Sequence, residues 1–217
     1  GVTDDLEAYK QATGFDPNAG TVGVLIMRSY VLAKNTAHYE GVLHALRAKG
    51  LNAVMAFASG LDARPAIDQY FRAEGVATVD HILSLTGFSL VGGPAYIDAS
   101  AAEEALAALD VPYTTAFSSE FQTLEKWAAS DSGLSPIEAT LMVSLPEIDG
   151  GTGPILYAGR SDGGDGHSKA QNMVAHNERV AMMVNRIEKQ ISLRRKDIAD
   201  RKVATIIYNF PPNGGAT

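Results

Sequence analysis

The run TVGVLIM at residues 21–27 constrains this chain more than any other stretch, because it is almost continuously apolar and shows no alternation. A strand with one face in water alternates apolar and polar side chains. A strand apolar on both faces belongs in a parallel sheet with helices packed on either side. The pattern recurs. Further strands are expected at 51–57 (LNAVMAF), 79–85 (VDHILSL) and 111–117 (VPYTTAF), at intervals of about 30 residues, the length of a βαβ unit.

Helices fill the intervals. Thr36 is a reasonable N-cap for a helix to about residue 49, with Tyr39, Val42, Leu43 and Leu46 at helical spacing and Gly50 as its stop. Pro65 opens a helix to about residue 74, residues 101–109 form an alanine-rich one, and 120–129 another. After Ser135-Pro136 residues 137–144 read as helix, and the apolar run ILYA at 155–158 as a buried strand. Strand and helix in regular succession require right-handed crossovers. The expected fold is therefore α/β, a doubly wound parallel sheet in a flavodoxin-like or Rossmann-like three-layer sandwich, with a long C-terminal helix.

Three segments are expected. Residues 1–20 are a polar, turn-rich lead-in and 21–160 the α/β domain. Residues 161–217 hold a glycine-rich loop, a breaker-free helix at 168–200 and a last strand at 202–210, which pack on the same domain or begin the next. That strand runs into PPNGGAT and stops, as a piece of a longer polypeptide would. The basic cluster Arg194, Arg195 and Lys196 reads as a solvated helix end that complements the helix dipole.

Composition narrows the function. A net charge of −7 argues against a sequence-independent grip on nucleic-acid phosphates. The absence of cysteine excludes disulfides and thiolate chemistry, and fits a reducing compartment. No apolar stretch reaches the ~18 residues of a membrane span, and the expected location is the cytoplasm. No G-x-G-x-x-G follows the first strand and no G-x-x-x-x-G-K-[ST] occurs, so neither a dinucleotide fingerprint nor ATP hydrolysis by a P-loop is expected.

In open α/β sheets ligands bind beyond the carboxyl ends of the strands. Those ends carry Arg28, Ser29 and Tyr30, then Ser59 and Asp62, then Thr86, Gly87, Phe88 and Ser89, then Ser118, Ser119 and Glu120. Phe88 with Gly92-Gly93 suits a backbone approaching a flat or bulky ligand, and equally an ordinary loop with a structural Phe. A second stretch, SLPEIDGGTGPILYAGR at 144–160, sets Glu147 and Asp149 in a turn that Pro146 and its glycines are expected to keep from being helix or strand. Two acids there suit a hard cation or proton transfer. Solvated acids on an Asp-Gly turn are the plainer reading of the same spacing. His38, near a helix N-terminus, is a candidate base, and the histidines show no zinc-ligand spacing.

Taken together, MRSYVLAKNTAHYEG, SLTGFSLVGGPAYID, LDVPYTTAF and GLSPIEATLMVSLPEIDGGTGPILYAGR resemble the large, porphyrin-binding subunit of magnesium chelatase, most of all its bacteriochlorophyll-pathway form. GLSP and LPEIDG are similar also to the cobalt-inserting chelatase, whereas TGFSLVGGP and AGR favour the magnesium enzyme. The resemblance implies a segment of a much longer subunit that inserts Mg²⁺ into protoporphyrin IX, with ATP hydrolysed by two AAA+ partner subunits and the downstream methyltransferase as a further candidate partner. It implies Glu147 as the first choice for metal handling or proton abstraction, with Asp149 in support and His38 and Glu178 as further catalytic candidates. Phe88, Gly92, Gly93 and Arg28 are then the residues against the porphyrin. A non-catalytic docking domain of the same subunit, or a cobalt-inserting chelatase of corrin synthesis, is the alternative.

Overall fold

The computed structural model describes residues 2–93, 96–162 and 172–206. Its main sheet has six strands: β1 (Thr21–Leu25), β2 (Asn52–Ala56), β3 (His81–Ser84), β4 (Tyr113–Thr123), β5 (Thr152–Arg160) and β6 (Met173–Ala175). They lie in the order β2-β1-β3-β4-β5-β6. The first five are parallel, in the 2-1-3-4-5 order of flavodoxin-like folds, and β6 runs antiparallel at the edge.

Helices α1 (Leu6–Thr13), α2 (Arg28–Leu32), α3 (Ala37–Ala48), α4 (Arg64–Tyr70) and α5 (Ala99–Leu109) punctuate the first half. On one face of the sheet, α3 and the long C-terminal helix bury Tyr39, Val42, Leu46, Met183 and Ile187 against Val22, Val24 and Tyr157. On the other, Ile67 and Phe71 from the α4 segment and Ala102 and Leu109 from α5 pack on Val54, Ile82 and Tyr113. Each large side chain buried this way contributes about 1.5–3 kcal/mol. Gly23 makes the second face possible: a Cβ there would lie 2.8 Å from the Phe71 ring, which rests directly on β1.

The later segments depart from expectation in instructive ways. β4 runs on to Thr123, so the helix expected from 120 is the short α6 (Leu124–Ala128). Beyond it, α7 (Pro136–Ala139), a π-helical turn (Thr140–Ser144) and α8 (Leu145–Ile148) follow one another without a break. The stretch expected to exclude helix is therefore helical through Ile148. Pro146 is tolerated because it sits in the first turn of α8, where the wider π turn before it leaves no α-type bond to lose.

The helix expected from 168 also changes. Residues 163–171 lie outside the described residues, and Met173–Ala175 pairs antiparallel with Ala158–Arg160. Helix α9 runs only from Asn177 to Arg195. Residues 202–206 form no strand, and the remainder of the strand expected there lies outside the described residues. Arg195 is no solvated helix end. Its guanidinium meets the Asp80 carboxylate through two hydrogen bonds of 3.0 and 2.9 Å and the carbonyls of Asn18 and Ala19, pinning α9 to the amino ends of β1 and β3. The lead-in likewise holds α1, capped by Asp5, whose Tyr9 hydroxyl donates to the Ala53 carbonyl and accepts from the Met55 amide. One side chain thereby occupies the open edge of β2.

Candidate functional site

In the 2-1-3-4-5 order the connections leave β1 and β3 toward opposite faces, and a crevice opens between their carboxyl ends. Here it is a cavity of about 470 Å³. Leu25, Ile26, Ser84 and Leu90 form a buried floor, and Phe88 and Thr86 a half-buried flank. Arg28, Ser29, Leu32, Ser59 and Leu61 stand at the mouth.

The walls are two loops zipped together. The Gly92 amide donates to the Leu61 carbonyl and the Ala63 amide to the Leu90 carbonyl, both at 3.0 Å, so the loop after β2 and the loop after β3 meet as an antiparallel bridge. Gly92 has φ +113°, and a Cβ there would run into the Tyr96 carbonyl. Gly93 leaves room for the Leu61 side chain, which a Cβ would approach to 2.6 Å. The paired glycines thus serve the joint between the loops, and Gly92 also faces the cavity.

One charged side chain lines this cavity, Arg28, and no acid does among the described residues. Asp62, at the bridge, is engaged by Arg64 through a salt bridge of 2.7 Å, whose hydrogen bonds hold its carboxyl below the usual range. Ser84 and Thr86 hydrogen-bond each other, and the Ser89 hydroxyl donates to the Val91 carbonyl. Arg28, Ser29 and Ser59 make no such bonds among the described residues.

The cavity gathers Arg28, Phe88 and Gly92 from the sequence expectations; the acids lie elsewhere. Glu147 is on α8, outside the cavity lining, its side chain unengaged among the described residues, and Glu178 is in the first turn of α9. Asp149 is wholly buried, and its Oδ2 accepts from the Leu90 amide at 2.7 Å. His38 is also wholly buried, its ring 3.9 Å from that of Tyr39 and 4.9 Å from that of Tyr30. Burial lowers its pKa to about 4, so it is neutral at pH 7. Above it the Tyr30 hydroxyl donates to Glu120 at 2.5 Å; burial, then Glu120 itself, pushes the phenol far up and keeps it a donor.

Glu138, which is not among the residues expected from the sequence, is buried and anchors the acidic segment. It accepts from the Ser119 hydroxyl and the Gln122 amide, each at 2.8 Å, and from the Ser135 amide at 3.0 Å. Its capping box with Ser135 is the S-x-x-E signature that could have revealed it. Burial works to raise the Glu138 pKa, but these hydrogen bonds prevail and hold it low.

Among the described residues no cluster of His, Asp and Glu is arranged to hold a metal ion, and no helix is long and apolar enough to cross a membrane.

Comparison with known proteins places these features in context. Residues 1–217 match the family model CobN/Magnesium Chelatase. The chain is 47% identical over 207 residues to the magnesium-chelatase H subunit of Rhodobacter capsulatus and 50% identical over 208 residues to that of Cereibacter sphaeroides. Each alignment covers 90% of this chain and 17% of the relative, so the chain spans about a sixth of their length. Among solved structures, the catalytic subunit of cobaltochelatase from Mycobacterium tuberculosis superposes with a TM-score of 0.64 at 25% identity, over 85% of this chain and 15% of that one.

Proposed function

Because the chain belongs to the CobN/magnesium chelatase family, we propose that it is a porphyrin-holding segment of a magnesium chelatase large subunit acting in bacteriochlorophyll synthesis. That enzyme inserts Mg²⁺ into protoporphyrin IX in the cytoplasm, with ATP hydrolysed by two AAA+ partner subunits. The observation that carries the reading is the cavity at the β1/β3 switch point, where MRSY, ASGLD and TGFSLVGG meet around an acid-free apolar floor. Identities of 47–50% with magnesium-chelatase subunits, against 25% with the cobaltochelatase structure, support magnesium over cobalt.

Insertion exchanges two pyrrole protons for one Mg²⁺, so it needs a group to strip water from the ion and a group to take protons. Mg²⁺ gives up water reluctantly and prefers oxygen ligands. Glu147 meets that need as an unengaged carboxylate able to receive a hydrated ion. Asp149 acts differently, by holding the cavity wall at Leu90. Phe88 lies against the macrocycle.

A second reading, a docking scaffold with metal handled elsewhere in the same polypeptide, draws support from the position of Glu147 outside the cavity lining. Glu147→Gln in the full-length protein, assayed with its motor partners, separates the two. Metal handling by Glu147 predicts a loss of insertion of about 100-fold or more with porphyrin affinity retained. Wild-type turnover would assign the acid to the scaffold reading.

A further inference from the structure

Arg28 carries an inference that rests on the porphyrin reading and deepens it. In a chain of net charge −7, a ligand cavity without acids and with a single cation at its mouth is a selective feature. The guanidinium has no acidic partner among the described residues, and the nearby Asp62 is already neutralised by Arg64. Beside it Ser29 and Ser59 add two hydroxyls without protein partners among the described residues. The floor offers Leu25, Ile26, Leu90 and a Ser84 hydroxyl bonded to Thr86 on the flank, and the buried Ser89 hydroxyl is taken up by the Val91 carbonyl.

We propose that this cavity recognises an apolar body bearing carboxylates, and that it fixes the orientation of the tetrapyrrole: the alkyl-substituted edge enters toward Leu25, Phe88 and Leu90, while a propionate stays at the mouth on Arg28 and the hydroxyls of Ser29 and Ser59. The reverse orientation would drive a carboxylate onto an apolar floor that offers no cation, at a heavy desolvation cost. At the mouth the same carboxylate remains partly hydrated and gains a charge-assisted, two-pronged hydrogen bond. Arg28 is thus a specificity residue rather than a catalytic one, and it distinguishes free-acid porphyrins from their esters.

The test uses the full-length protein and two probes, deuteroporphyrin IX and its dimethyl ester, titrated by porphyrin absorbance. The expected result is tighter binding of the diacid by wild type. Arg28→Gln should weaken the diacid by about tenfold and leave the ester unchanged, and Arg28→Lys should fall between. Because the Arg28 side chain is unengaged, an unchanged melting temperature is expected in both variants. Equal losses for diacid and ester, or no loss for either, would overturn the orientation while leaving the porphyrin reading intact. Failure of wild type to bind either probe would instead overturn the porphyrin reading, and the orientation with it.

Discussion

The Leu90 amide donates to Asp149 Oδ2 at 2.7 Å, a bond that joins the loop after β3 to the turn before β5. Leu90 lines the cavity at the switch point, so an acid in the LPEIDG turn holds part of that cavity's floor. The two most distinctive stretches of the sequence therefore act as one structural unit. Removing a buried acceptor costs about 1–3 kcal/mol because the donor is left unpaired. Asp149→Ala should lower stability by that amount in urea unfolding and weaken porphyrin binding. Asp149→Asn keeps an acceptor oxygen and should retain most of both. Equal losses in the two variants would show that charge, rather than the acceptor, is what the site requires.

Glu138 fastens the helical run 136–148 to the end of β4 through Ser119 and Gln122. With three donors converging on it, Glu138→Ala leaves the buried Ser119 hydroxyl and the half-buried Gln122 and Ser135 donors without this acceptor, and a loss of about 1–3 kcal/mol is expected. The neighbouring Ile137, 60% exposed, provides the control: Ile137→Ala should move the unfolding midpoint little. A Glu138 variant as stable as wild type would remove this carboxylate from the framework of the site.

His38 and His81 are both fully buried, and burial lowers the pKa of each to about 4. In the unfolded chain each titrates near 6.5, so between about pH 6.5 and 4 the unfolded state binds more protons than the folded one. Stability contributed by the neutral rings is present above that window and is lost as pH falls through it, by up to about 1.4 kcal/mol per pH unit for each ring. Urea midpoints measured from pH 7.5 to 4.5 should fall steeply below pH 6.5. Replacing His38 by Phe should flatten the slope by about one proton's share. A level profile would mean that both rings titrate inside the fold as they do in the unfolded chain.

The central layers were legible because the apolar runs at 21–27 and 51–57 have no polar face to give to water. The carboxyl-end rule then located Arg28, Ser59, Thr86 and Phe88 without reference to strand order. The 2-1-3-4-5 order itself is visible only in the structure, since local pattern does not say which strand lies beside β1. Strand β6 was hidden because Met173 continues the apolar stripe of α9, and three residues are too few for a period of two to show. Pro146 concealed α8 because the π turn that accommodates it has no plain sequence mark. Asp149 looks like any surface acid in sequence, and Glu138 shows only its capping-box spacing from Ser135. Their burial depends on partners far along the chain, Leu90 for one and Ser119 for the other.

Blocking the cavity mouth tests the central claim most directly. Ser59 stands on the loop after β2 and lines the mouth, so Ser59→Trp should fold normally while filling the entrance. The measurement is the dissociation constant of deuteroporphyrin IX for the full-length protein with and without this change. A porphyrin held in the switch-point cavity predicts a loss of affinity of about tenfold or more, with an unchanged melting temperature. An unchanged dissociation constant would place the porphyrin elsewhere and contradict the account.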